Sequence, residues 1–397
     1  MQSSVASFPT DAASAHATTK VQALPWFVYA VVLAAACIPI GALWDISWHS
    51  TIGRDSFWTP AHILIYLGGA VPGMVCGWIV LKTSFFGTLE ERAASVRYLG
   101  FRGPLGAWVS IWGSLTMLVS APFDNWWHNA YGLDVEILSP PHALLAAGMY
   151  AVAVGALLLA LSWQNRGTEE TARAGGRLFV FAMGVLLAMA SIIMTEKSYP
   201  NAQRQGLFYI ITAFTYSFYL SIATRASRGR WGATSASAVY MLIVCGMVWI
   251  LPLFKAQPLL APIYLKVDHM VPPVFPFLLI VPGFFMDLVH QRLGQRRTFW
   301  NDWTCAVALG ATFFLVFLAV QWNFSAFMLS PGAKNWFFAG GRQWPYFVPV
   351  GEWRGYYWGK SRGEWLTMNT ALIVLAVAMI KSRIGLAIGK WMSRVQR

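Results

Sequence analysis

The amino-acid sequence predicts an all-α fold: a polytopic membrane helical bundle of about ten transmembrane helices, N-in/C-in, with an internal parallel duplication of a two-helix unit. Three observations lead there: composition, the placement of basic residues, and a pattern of ionisable residues that occurs twice. Of the 397 residues, 57% are hydrophobic and 11% charged, with a mean hydropathy of +0.52. Soluble domains carry about 25% charged residues, so a soluble globular class is excluded. The net charge of +13 invites a nucleic-acid reading, but the basic residues fall in alternate loops, as they do in a chain threaded through a bilayer. The bilayer, and no nucleic acid, is the expected partner.

Taken in order, residues 1–25 are rich in Ala, Ser and Thr and read as a disordered tail. They lack the basic n-region and short apolar stretch of a signal peptide. A helix needs roughly 20 apolar residues to span a bilayer. Ten segments qualify: 26–46, 60–81, 104–123, 141–163, 177–195, 206–223, 234–254, 271–290, 303–321 and 367–381. The segment 206–223 is the most polar of them.

With the N-terminus in the cytoplasm, the tail 1–25, the loops 82–103, 164–177, 224–232 and 291–300 and the tail 381–397 hold 19 of the 29 Lys and Arg. The outer loops hold 10, five of them in 322–366. This asymmetry sets the orientation and implies a multi-pass protein of a bacterial inner (cell) membrane. The chain divides into the tail (1–25), the duplicated helical unit (26–163), further spans (164–321), an aromatic outer-surface loop (322–366), and a last span with a basic tail (367–397). The loop carries six tryptophans, at 322, 336, 344, 353, 358 and 365, and predicts a folded layer at the membrane surface, where tryptophan concentrates. Cys37, Cys76, Cys245 and Cys305 lie in apolar segments without CxxC spacing and read as packing residues.

The repeated pattern carries the chemistry. Its first copy has Asp45, Trp48 and His49, then Gly53-Arg54-Asp55, then Pro60 and His62. Its second has Asp124, Trp127 and His128, then Gly132 and Asp134, then Pro140 and His142. Four of the seven histidines lie in these copies. Residues at i and i+4 share a helix face, so Asp45 can act with His49, and Asp124 with His128. His62 and His142 follow thirteen and fourteen residues later, each just after a proline suited to a first helical turn. A glycine recurs six residues beyond each, Gly68 and Gly148.

Each copy thus predicts a site made by the end of one helix and the start of the next. Two imidazoles and a carboxylate suit copper, iron or zinc, and ionisable residues at membrane depth point to function. An Asp–His hydrogen bond at a helix end is the plainer reading of either pair alone; two copies with matching groups favour metal. Asp55 and Asp134, on the connecting turns, are placed to orient a histidine, and Arg54 to pair with Asp55. Trp48 and Trp127 are placed to wall the ligands from water, or simply sit at the interface. Loose echoes at Asp268-His269 and at Asp287 with His290 lack the spacing.

The run Asp45, Trp48, His49, Arg54, Asp55, Thr59, Pro60, His62 resembles the signature of the C subunit of copper membrane monooxygenases, the particulate methane and ammonia monooxygenases. The second copy is similar to that family's second copper site. The resemblance covers residues 26–163 and is that of a distant relative. It implies copper at Asp45, His49 and His62 and at Asp124, His128 and His142, near the outer or periplasmic face. It also implies partner subunits, and oxidation of a small molecule with O2. Two departures stand out: Asp124 replaces an Asn, and Asp134 a Glu. Residues 230–397 match nothing in the family. An oxidoreductase or oxidoreductase subunit is therefore expected, with two alternatives: a non-catalytic copper-binding or acquisition protein, and a transporter using the Asp/His sites as proton relays.

Overall fold

Helix boundaries follow the punctuation of the sequence. The computed structural model describes residues 23–53, 56–132, 139–259, 267–294, 298–340 and 365–397, with the side chains of His128 and Glu196 excepted. Helices α1 (Trp26–Thr51) and α2 (Pro60–Phe86) form the first pair, and α4 (Leu105–Tyr131) and α5 (Pro140–Arg166) the second. Between the pairs lie a short helix α3 (Leu89–Ala93) and a hairpin of β1 (Val96–Tyr98) and β2 (Phe101–Gly103). Pro60 and Pro140 open α2 and α5, where a missing N–H costs nothing. Just beyond the other helix of each pair stands a glycine with positive φ, Gly53 at 80° and Gly132 at 91°. Only glycine takes that conformation without strain, which suits glycine to both positions.

The chain continues through α6 (Glu169–Ile193), α7 (Gly206–Ala226), α8 (Gly232–Ile250), α9 (Ile280–Leu293), α10 (Phe299–Met328) and α11 (Met368–Met392). Among the described residues, nine helices are long and apolar enough to cross a membrane: all of these except α3 and α9. This is a multi-pass membrane protein. The polar segment 206–223 becomes α7, whose most apolar stretch is 61% buried against 28% for α11, so its Ser, Thr and Tyr face protein rather than lipid. Span 303–321 is longer than expected: α10 runs on to Met328, which moves Trp322 from the predicted outer loop onto a helix. Trp344, Trp353 and Trp358 lie outside the described residues.

The expected helix 271–290 is not a full helix. Residues 271–278 form neither helix nor strand, and only Ile280–Leu293 is helical. Pro272, Pro273 and Pro276 are the cause, since proline removes the donor that each helical turn requires. The segment nevertheless runs the length of α8 in the opposite direction. Lys255 bridges His269 at one end, Phe277 N–H donates to the Tyr240 hydroxyl at 3.0 Å midway, and Asp287 accepts from the Thr234 N–H at 2.9 Å at the other. Side chains also take N–H groups of its non-helical backbone: Val271 N–H donates to Thr51 Oγ1 (2.8 Å) and Leu278 N–H to Gln321 Oε1 (3.1 Å). Non-helical backbone at membrane depth persists only where protein or a lined cavity receives it.

Glycines set the helix pairs close. A Cβ on Gly68 would stand 2.5 Å from Ile38 Cγ1, and one on Gly148 would stand 2.8 Å from the Gly113 carbonyl. The two glycines noted after the histidines are therefore contact points of α2 with α1 and of α5 with α4, the small-residue packing that membrane helices use. Between the pairs, Ser114 Oγ donates to the Gly69 carbonyl at 2.7 Å, and Gly69 meets Met117. At the far end of the bundle, Arg225 (Nη2) donates to Asp302 at 2.7 Å, with Lys390 at 3.6 Å from the same carboxylate. Both partners of the first contact are almost wholly buried, so removing either one would strand a charge.

Candidate metal centre

The turn between α1 and α2 is built by hydrogen bonds that place His62. Ser56 N–H donates to Thr59 Oγ1 at 2.8 Å, and Thr59 N–H donates to the Ser56 carbonyl at 3.0 Å. The same carbonyl lies 2.9 Å from His62 Nδ1. An Nδ1–H held by a backbone carbonyl fixes the tautomer and turns the Nε2 lone pair toward the site. His62 is the third residue of α2, and Asp45 and His49 stand one turn apart at the end of α1.

These three side chains converge. His62 Nε2 lies 3.0 Å from Asp45 Oδ1, and His49 Nε2 lies 3.8 Å from Asp45 Oδ2. One ligand atom from each of Asp45, His49 and His62 falls within 4.8 Å of the other two. Metal–ligand bonds of about 2.0–2.2 Å place neighbouring donors roughly 3–3.5 Å apart. The Asp45–His62 contact has that spacing, and the Asp45–His49 contact is slightly wider. Asp45 Oδ1 is buried and accepts no hydrogen bond among the described residues. A carboxylate oxygen facing an imidazole nitrogen that has already given its proton role to Nδ1 needs a cation or a proton between the two. The donor set fits a metal ion on that count.

The second pair repeats the local design in a looser form. Ser139 Oγ accepts from His142 N–H at 3.4 Å, and His142 is again the third residue of its helix. His142 Nε2 lies 3.5 Å from Asp124 Oδ1, with about a third of each side chain exposed. The structure therefore brings Asp124 and His142 together; the His128 side chain, Arg54, Asp55 and Asp134 lie outside what is described. The α2–α4 register is antiparallel: seven residues from Gly69 toward the start of α2 is His62, and seven from Met117 toward the end of α4 is Asp124. Both Asp/His groups thus sit at one end of the bundle.

Aromatic side chains surround both groups. Trp48 is half-buried against the core, and Trp127 packs on Tyr131 (4.5 Å between ring centroids) and Phe123 (6.2 Å). Sequence reasoning missed Tyr66, whose ring lies 6.2 Å from that of His62, and Phe57, which packs on Tyr66 at 5.0 Å. The signal was available: Tyr66 is four residues after His62 on a helix and so shares its face. The Ser56 carbonyl could not be foreseen, since backbone groups leave no mark in a motif.

No protein-family model, curated protein or solved structure matches this chain.

Proposed function

We propose that this protein is a membrane copper protein, an oxidoreductase or oxidoreductase subunit that activates O2 to oxidise a small molecule, and a distant relative of the copper membrane monooxygenase C subunit. One observation carries the reading: a buried carboxylate oxygen, Asp45 Oδ1, 3.0 Å from His62 Nε2, with His49 completing the donor set. Asp45, His49 and His62 would hold one ion; Asp124, His128 and His142 are the proposed second set. Copper, favoured over iron and zinc by the motif resemblance, supplies redox chemistry with O2 when bound. The chain's own part is to fix the His62 tautomer through Ser56 and to shield the ligands with Trp48, Tyr66 and Trp127. The charge asymmetry supports an inner-membrane location with both sites toward the periplasmic face.

A second reading, copper binding for acquisition or transfer without catalysis, is favoured by exposure. The His49 side chain is 48% accessible, which suits a ligand that must exchange its metal. Extraction of the full chain in mild detergent, metal analysis after copper, iron or zinc supplementation, and O2 uptake with a quinol donor separate the readings. Copper bound in the wild type and lost in His49→Ala, with O2 uptake, is the expected result. Copper without O2 uptake or co-purifying subunits selects the second reading. No metal under any supplement would falsify both.

A further inference from the structure

The non-helical run before α9 borders a cavity that the Asp/His chemistry does not use. This cavity of about 50 Å³ lies between the run Val271–Phe277 and the ends of α1 and α6. A buried water needs roughly 10–15 Å³ by the same kind of measure, so there is room for about three waters or for a small ion with part of its shell. Among the described residues, no Asp, Glu, His, Lys or Arg lines the cavity. It stands on the other face of α1 from the metal centre: Ser47 and Ser50 line it, whereas Asp45 and His49 do not.

Three hydroxyls of its lining already give their protons to backbone carbonyls. Ser47 Oγ donates to the Val271 carbonyl at 2.5 Å, Ser191 Oγ to the Ala188 carbonyl at 2.7 Å, and Thr195 Oγ1 to the Ile192 carbonyl at 2.6 Å. Each of these hydroxyls has committed its proton and offers the cavity only lone pairs. The three prolines of the run bring carbonyls without N–H groups. The Val271 N–H is taken by Thr51 and the Phe277 N–H by Tyr240. The Val274 and Phe275 N–H groups and the hydroxyls of Ser50, Tyr199 and Tyr240 are further proton donors of the described lining.

The two helices that end here, α1 at Thr51 and α6 at Ile193, add the negative ends of their dipoles. Each is equivalent to roughly half an elementary charge. Unwound backbone carbonyls and helix C-terminal ends are the groups from which membrane proteins build alkali-cation sites. Divalent cations, in contrast, draw on carboxylates, and none is among the described lining residues.

We infer that this cavity, framed by Ser47 and Ser50, Ser191 and Thr195, and the carbonyls of the Pro272–Pro276 run, is a binding site for a monovalent alkali cation. It is independent of the metal reading.

The test uses the full chain in detergent or nanodiscs. Thermal unfolding is compared in NaCl, KCl and choline chloride at equal ionic strength, and ²²Na⁺ binding is measured with and without excess unlabelled sodium. The expected result is saturable stabilisation by sodium or potassium over choline. Thr195→Val and Ser50→Ala should weaken the cation's apparent affinity by at least about tenfold, the loss of one or two oxygen ligands, while Asp45→Asn leaves it unchanged. Equal unfolding in all three salts overturns the proposal in the wild type alone, whether or not the variants fold. So does a cation response that survives both hydroxyl variants, or one that Asp45→Asn abolishes.

Discussion

The α1–α2 and α4–α5 pairs share a plan and differ in how tightly they carry it out. In both, a glycine with positive φ stands just past the first helix, proline opens the second, and a histidine occupies its third position beside an aspartate of the first. In the first pair the contact is 3.0 Å; in the second it is 3.5 Å and more exposed. Packing goes the other way. The first pair meets through the Ile38 side chain against Gly68, the second through backbone against backbone at Gly113 and Gly148. The lesson is that helix approach and site closure are separate variables. A site at a helix end is set by the turn that joins the helices, not by how closely their middles pack.

Six substitutions, in four tests, break or sharpen this comparison. The largest effect is expected from His62→Ala, which removes a ligand and should abolish metal binding at the first pair while leaving the second, read by metal content per chain. Thr59→Val deletes the hydroxyl that ties the turn at Ser56, and so the support of His62. A 10- to 100-fold loss of metal affinity is expected, the usual cost of losing a group behind a ligand, as measured by competition with a chelator.

Third, Gly148→Ala forces a methyl group onto the backbone of α4. It should cost about 1–3 kcal/mol, against less for Gly68→Ala, where Ile38 has a side chain that can shift. Thermal unfolding of both variants checks the order, and a reversed order breaks the packing half of the comparison. The smallest effect is expected at the helix ends. Gly53→Ala and Gly132→Ala should each cost about 1–2 kcal/mol for a left-handed residue, and nearly the same amount. A markedly larger value at Gly53 would show that the tighter site constrains its own turn.

The helices, the i, i+4 pairing of Asp45 with His49 and the arrival of His62 from the next helix were legible because each is a local relation, fixed by the pitch of a helix or by a proline. The interrupted segment was not, although its prolines were in view. Residues 271–290 are apolar enough to pass for a span, and only partners more than 200 residues away, Ser47 and Thr51, show that the backbone there can stay non-helical. Likewise, Trp322 looked like loop because its neighbourhood is aromatic. It belongs to α10, with Tyr209 stacked on it (6.5 Å between ring centroids) and Arg204 over its face. Non-local contacts decide both cases, and a hydropathy pattern does not record them.

The interrupted crossing also bears on how the chain enters the bilayer. Its helix, α9, has 14 residues, about 21 Å of rise against a hydrocarbon layer of about 30 Å. It cannot serve as an autonomous insertion unit. The non-helical half before it depends on Thr51, Tyr240 and Gln321, which take the N–H groups of Val271, Phe277 and Leu278. Since Gln321 lies in α10, which is made later, the Leu278 N–H finds this partner only once α10 is present. A nascent chain halted before α10 would hold every earlier helix and still lack a finished wall on that side of the bundle.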